Sequence, residues 1–265
     1  MNNDLLIDNI LSKIKFKIQP HQNIRKEYLY RVKKKFYKLI GQDKKFIDSN
    51  TKFQNIDNSD LNAISQLSSI DTMSKISIGF LINQICKNLE KGNVYINIGV
   101  WRGFSLIAGM INTKCEVHGV DNFSFDYADG NSSLNNVKEE FKTREYFFKE
   151  YNKLRNEEKH FFYDMDYKRF FNLWEKKNKK IDLYYYDGEH SYQNQFDNLI
   201  IANNFFKKGS IILVDDYNES QVQNATLDFV SKFNSNFKII KEIKTANKYI
   251  HPTYANGIIL IEKVN

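Results

Sequence analysis

Apolar and polar positions recur along this chain in two periods, and the switch from one to the other marks its elements. Short β-favouring runs occur at 94–98, 116–120, 160–163, 181–186, 210–214, 237–243 and 257–262. Between most of them lie stretches with apolar residues three and four apart, the helical period: from Ser105 to about Asn112, 136–156, 167–177, a run after His190 with Phe196, Leu199, Ile200 and Phe206 on one face, and 219–233. Ahead of the first strand, 76–89 has the same helical pattern, ended by Lys91-Gly92. Alternating strand and helix predicts an α/β, Rossmann-like doubly wound sheet of seven strands, mostly parallel and covered on both faces. The last two strands follow one another with no crossover helix, so the final strand is expected to be antiparallel.

The N-terminal part reads differently. Leu5, Leu6, Ile10, Leu11 and Ile14 make 3–17 a helical pattern, broken at Pro20. Over 24–40, Ile24, Tyr28, Leu29, Val32, Phe36, Leu39 and Ile40 alternate with Lys and Arg, predicting a basic amphipathic helix. Residues 41–60 are polar and irregular, as a linker or lid would be. We therefore divide the chain into a basic helical extension or cap, 1–60, and a Rossmann-like domain, 61–265.

The stretch VYINIGVWRGFS, 94–105, joins a buried strand to a helix through Gly99 and Gly103. A glycine turn at a strand's carboxyl end lets a ligand approach the backbone closely. The spacing is G-x-x-x-G rather than G-x-G-x-x-G, and Trp101 and Arg102 fill the turn, so it is a poor dinucleotide fingerprint. The turn is open to two readings, ligand-binding or an ordinary strand-to-helix connection. Asp121 ends the next strand 22 residues beyond Gly99, where an acid can accept ribose hydroxyls; a plain acidic loop residue is the alternative.

Two further strands end in acids, Asp187 in DGEH and Asp215-Asp216 in VDDYN. All three carboxylates can face the crevice that holds Gly99, and clustered carboxylates repel unless a cation or proton is present. A hard divalent ion such as Mg²⁺ suits oxygen ligands, whereas zinc would want sulfur or several imidazoles. Each acid could instead cap the helix after its strand. His190, three residues past Asp187, has the ordinary pKa of a base that works at neutral pH, or is an inert histidine at a helix start. His21, His118, His160 and His251 have no such company and read as structural.

Composition narrows the setting. Of 265 residues 42% are hydrophobic, enough for a substantial core. The two cysteines, Cys86 and Cys115, cannot form a disulfide framework and sit in no metal-binding spacing, which points to a reducing, cytoplasmic compartment. No apolar run is long enough for a membrane span and no signal peptide is evident. The net charge of +7 is unevenly spread: residues 1–45 carry 12 Lys and Arg against 4 Asp and Glu, the other 220 residues 27 against 28. The basic arm suits a solvated helical face or contact with an anionic partner.

The succession YINIGVWRGFS, HGVDNF, IDLYYYDGEHSY, KKGSIILVDDYN and NGIILIEK resembles class I S-adenosylmethionine-dependent methyltransferases over about residues 70–263, and more narrowly the group of macrolide-sugar O-methyltransferases and cephalosporin-hydroxylase-like proteins. The resemblance implies that the turn around Asn97, Gly99, Trp101, Gly103 and Ser105 holds the methionine part of S-adenosylmethionine, with Asp121 and Asn122 at the ribose, Asp166 near adenine and Asp187 beside the cofactor. It also implies Mg²⁺ on Asp187, Asp215 and Asp216, His190 as base with Asp187 in the catalytic group, and methyl transfer to a hydroxyl of a sugar or sugar-derived acceptor, such as a nucleotide-linked or surface-glycan building block. Members of that group commonly carry an acid where this chain has Asn97, and an amide brings no negative charge to the sulfonium or amino group. A homodimer is expected, with residues 1–60 covering the acceptor site or making the contact; nucleic acid is not an expected partner. Two alternatives stay open: a metal-independent methyltransferase for an amine or phosphoryl acceptor, and a non-catalytic protein of this fold whose arm binds RNA or a membrane surface.

Overall fold

The computed structural model describes residues 2–23, 50–124, 133–246 and 251–265, and only the backbone of 133–141. The basic helix expected over 24–40 lies outside the described residues, as do residues 41–49 of the expected linker that follows it. The chain runs α1 (Asn3–Ser12), β1 (Ile14–Phe16), β2 (Thr51–Phe53), α2 (Asn58–Ser68), α3 (Ile76–Lys87), β3 (Val94–Ile98), α4 (Phe104–Met110), β4 (Glu116–Asp121), α5 (Ser133–Leu154), β5 (His160–Asp164), α6 (Tyr167–Glu175), β6 (Ile181–Tyr186), α7 (Tyr192–Asn203), β7 (Phe206–Val214), α8 (Ser220–Lys232), β8 (Phe237–Ile243) and β9 (Ile258–Lys263).

Seven strands form one sheet in the order β5-β4-β3-β6-β7-β9-β8. β3 pairs in parallel with β4 and β6, and β9 runs antiparallel to both β7 and β8. All five residues of β3 are buried, as a central parallel strand requires. The chain leaves β3 towards β4 and β5, then returns to lay β6 on the other side of β3. The crevice at that reversal is where ligands of open α/β sheets sit.

Period-2 alternation sends the side chains of β6 to two cores. Leu183 and Tyr185 join α3 and α4 on one face, and Tyr184 and Tyr186 join α6 and α7 on the other. Buried phenols need acceptors: Tyr95 bonds the Ser105 carbonyl, Tyr184 the Asn198 side chain, Tyr185 the Asp215 carboxylate and Tyr186 the Glu189 carbonyl.

Three local expectations are corrected. The helix expected over 3–17 ends at Ser12, and Ile14–Phe16 forms a short antiparallel pair with Thr51–Phe53. Ile10 and Ile14 are four apart, which mimics a continuing helix, but pairing with a distant segment decides their conformation. For the same reason 51–60 is not all irregular, holding β2 and the start of α2, capped by Asp57. Finally, β7 begins at Phe206 rather than Ser210. Lys207, Lys208 and Gly209 are exposed, yet buried Phe206 pairs with Ile181 and the Ser210 hydroxyl bridges back to Lys207, so the Lys-Lys-Gly stretch is a bulge within the strand.

The N-terminal segment is bound to the same body. Leu6, Ile7 and Ile10 of α1 are buried in its core, and Asn3 donates to the Gly209 carbonyl and to Glu262. Asp60 of α2 is 2% exposed and bonds Lys87 at 2.5 Å and Gln84 at 2.7 Å, locking α2 onto α3.

Candidate functional site

The carboxyl ends of β3, β4, β6 and β7 open into one cavity of about 760 Å³. Its floor is the β3–β6 junction. Gly99 has φ +81°, and a Cβ there would lie 1.9 Å from the Asp187 carbonyl oxygen, so only glycine lets the two strand ends come this close.

The turn after Gly99 is held from below and from the side. Asn97 donates to the Gly99 carbonyl (3.0 Å) and accepts from the Ser105 hydroxyl (2.8 Å), clasping the turn to the first residues of α4. Asp121 accepts from the amides of Val100 and Trp101 with one carboxylate oxygen, each at 2.7 Å, and from Phe123 with the other at 2.6 Å. Burial pushes the Asp121 carboxyl up and these backbone donors oppose it. Three non-glycine residues with positive φ stand at these strand ends: Trp101 (+46°), Phe123 (+55°) and Asp216 (+53°). A left-handed residue costs about 1–2 kcal/mol, and such outliers gather where function demands a particular backbone.

Of the residues singled out in the sequence, Gly99, Trp101, Ser105, Asp121, Asn122, Asp166, Asp187, His190 and Asp216 line the cavity. Asn97 and Gly103 do not reach it. Gly103 starts α4 with φ +94° against Phe147 and Ile107. Asp166 lines the cavity and also caps α6, accepting from the Lys168 amide. Asn122 accepts from the amide and hydroxyl of Ser124.

At the other end of the cavity Asp187, His190 and Asp216 converge, one ligand atom from each lying within 4.8 Å of the others. His190 Nε2 is 3.1 Å from Asp216 Oδ2 and 3.9 Å from Asp187 Oδ1. Asp215 stands beside this group but is directed away: one oxygen accepts from the Tyr185 hydroxyl at 2.5 Å, the other from the Asp216 amide. Burial, then the neighbouring acids, push the carboxyls of Asp187 and Asp215 up. Burial disfavours a charged His190, yet Asp187 and Asp216 outweigh it and hold the imidazole up to about 11. Excess negative charge meeting oxygen and imidazole donors at ligand spacing fits a divalent cation.

Sequence reasoning passed over Glu219, Tyr185 and the segment Thr72–Met73–Ser74, all of which line the cavity. Tyr185 carried a signal: two residues before Asp187 on a strand, it shares that residue's face. In the sequence Glu219 carries only the signature of a helix start. The Thr72 segment belongs to the α2–α3 connection, and no local pattern ties that connection to the sheet ends. It is held by Asp71, which pairs with Arg102 and whose amide donates to the Tyr146 hydroxyl.

Comparison with known proteins bears on this arrangement. Residues 96–217 match the family model described as a methyltransferase domain. An O-methyltransferase from Bacillus cereus, solved with SAH, is 12% identical at a TM-score of 0.52, over 78% of this chain and 91% of that one. The cofactor-bound Rv0187 from MTB is 12% identical at 0.54, over 84% and 97%. The SAH-bound methyltransferase PaMTH1 from Podospora anserina is 12% identical at 0.51, over 86% and 96%. No curated protein matches the sequence.

Proposed function

We propose that this chain, which carries a class I S-adenosylmethionine-dependent methyltransferase domain, transfers a methyl group to a hydroxyl of a sugar or sugar-derived acceptor with a divalent cation, Mg²⁺ or similar, at the acceptor end of its cavity. The observation that carries this reading is the convergence of Asp187, His190 and Asp216 at one end of the cavity whose floor is the glycine turn. An acceptor end built from an imidazole, carboxylates and side-chain amides suits a polyol more than an apolar ring.

In this reading the turn 99–105 receives the amino-acid part of the cofactor, Asp121 and Asn122 the ribose, and Asp166 and Tyr167 the edge of the adenine. S-adenosylmethionine would supply the electrophilic methyl group, and a cation held by Asp187 and Asp216, with Asp215 close by, would supply positive charge that makes an acceptor hydroxyl more acidic. With the charge of Asp187 and Asp216 offset by that cation, His190 would give up the proton they hold on it, and its Nε2 could then take the hydroxyl proton. Trp101, Phe104 and Met73 form the apolar wall that limits water, and strand-end placement brings the two substrates into line. A homodimer in the cytoplasm, with residues 1–60 making the contact, completes the proposal; no helix among the described residues is long and apolar enough to cross a membrane.

A metal-independent transfer is the second reading, favoured by the His190–Asp216 ion pair, which already balances part of the charge. Thermal unfolding with S-adenosylhomocysteine, with and without Mg²⁺ or EDTA, separates the two. A ligand at about 100 times its Kd stabilises by roughly 2.7 kcal/mol. Stabilisation by S-adenosylhomocysteine but not NAD, increased by Mg²⁺ and reversed by EDTA, is the expected result. Stabilisation indifferent to Mg²⁺ favours the second reading, and no stabilisation by S-adenosylhomocysteine sinks both.

A further inference from the structure

We propose that Glu219 is a positioning residue for His190, holding the Nδ1 hydrogen so that Nε2 faces the cleft between Asp187 and Asp216; the inference rests on the reading of His190 as the base of this site. Glu219 Oε1 lies 3.1 Å from His190 Nδ1. It stands at the N-cap of α8, where an acidic side chain ordinarily bonds the first helical amides, yet it makes no such bond. Its carboxylate, 19% exposed, turns to the imidazole instead.

The carboxylate is itself held. Fully buried Asn256 donates to Glu219 Oε1 at 3.2 Å. The backbone around Asn256 is fastened to the loop after β7: Tyr217 and Asn218 donate their amides to the carbonyls of Gly257 and Asn256, and the Asn218 side chain donates to the Thr245 carbonyl. A chain of contacts thus runs from the closing segment before β9, through Asn256 and Glu219, to the imidazole. A histidine that works through one ring nitrogen usually has its tautomer and ring angle set by what the other nitrogen bonds. His190 is 36% exposed and stands on the short connection between β6 and α7, so packing alone leaves the ring free to turn. With Nδ1–H donated to Glu219, Nε2 is the nitrogen left to face Asp216 and the acceptor side of the cavity.

The test uses the full chain labelled with ¹⁵N-histidine, saturated with S-adenosylhomocysteine, with and without Mg²⁺. Five histidines give few ring signals, and His190→Gln assigns the one in question. The Nδ1 proton of His190 is expected to be visible and slow to exchange in both conditions. Glu219→Ala should speed that exchange at least tenfold, while Glu219→Gln, whose amide oxygen still accepts, should stay within threefold of the parent. Amide spectra of both variants check folding, and the Gln variant keeps the test sound where the Ala variant is unstable. Equal exchange in Glu219→Ala and the parent, or a ring protonated at Nε2 alone, overturns the proposal. Methyl transfer that survives His190→Gln would remove the base assignment instead, leaving the Glu219 contact to be judged by the exchange rates.

Discussion

Substituting alanine at Gly99 tests whether the β3–β6 junction is as tight as the geometry requires. Gly92 (φ +90°), Gly99 (+81°) and Gly103 (+94°) all have a left-handed backbone. A Cβ costs each of them about 1–2 kcal/mol of backbone strain. What the new methyl group meets differs. At Gly92 nothing lies within 4 Å. At Gly103 the nearest atoms are Phe147 Cδ2 at 2.9 Å and Ile107 Cδ1 at 3.2 Å, side chains able to give. At Gly99 they are backbone, the Asp187 carbonyl oxygen at 1.9 Å and its carbon at 2.4 Å, with the Gly188 nitrogen at 2.9 Å. Clearing the oxygen to 3.0 Å means moving one strand end by about 1.1 Å, against the bond from the Asp187 amide to the Ile98 carbonyl. Overpacking a rigid site adds about 1–3 kcal/mol or more. The series should therefore read about 1–2 kcal/mol for Gly92→Ala, about 2–3 for Gly103→Ala and about 4 or outright unfolding for Gly99→Ala. Urea unfolding measures these losses, and calorimetric titration measures binding of S-adenosylhomocysteine. Gly92→Ala should leave binding unchanged, and any folded Gly99→Ala should bind at least tenfold more weakly. A Gly99→Ala protein within about 1 kcal/mol of Gly92→Ala and binding normally would refute the argument.

Other outcomes follow from the site and from the helices beneath it. Asp187→Asn and Asp216→Asn should each abolish the additional melting shift given by Mg²⁺ while keeping most of the shift given by S-adenosylhomocysteine; retention of the Mg²⁺ increment in both would place the cation elsewhere. Asn97→Ala leaves the Ser105 hydroxyl and Gly99 carbonyl without their partner, which should cost about 1–3 kcal/mol in chemical unfolding and weaken cofactor binding. Asp60→Asn should destabilise by about 2 kcal/mol at neutral pH, since charged hydrogen bonds contribute roughly 1.5–3 kcal/mol. Burial works against the Asp60 charge, but Lys87 and Gln84 outweigh it and hold its carboxyl below the usual range. With the folded pKa depressed, that stability is fully present above about pH 4, the unfolded value, and is lost as pH falls through the folded one. The gap between parent and Asp60→Asn should accordingly close in acid, and a gap constant from pH 7 to pH 3 would show that the charge is not its source.

Much of the architecture was legible in the residue pattern because its causes are local. Period-2 runs, glycine turns and helical faces announce strands, connections and helices wherever the hydrophobic signal is strong, and all seven sheet strands are found where those runs lie. The signal failed where a distant partner set the conformation. Ile14–Phe16 became a strand through Thr51–Phe53, and Lys207–Gly209 were drawn into β7 because Phe206 on one side and Ser210 on the other are buried. The cavity shows the same division. Acids at strand ends were visible as Asp121, Asp187, Asp215 and Asp216, since a strand followed by a carboxylate is a one-dimensional pattern.

Which of those acids share a face with an imidazole is decided by strand order and by backbone angles at single residues. Asp216, at φ +53°, turns towards His190 while its neighbour Asp215 turns to Tyr185. The Asn97–Ser105 clasp, the bonds from Asp121 to the turn amides and the Glu219–His190 contact join residues 8 to 29 positions apart in the chain. The alternation of elements and the kinds of side chain at the strand ends were already written in the residue order, because both follow from short-range periodicity. The tertiary structure alone decided which of those side chains meet, because their distances depend on sheet order and on strand ends that only a residue without a Cβ lets touch.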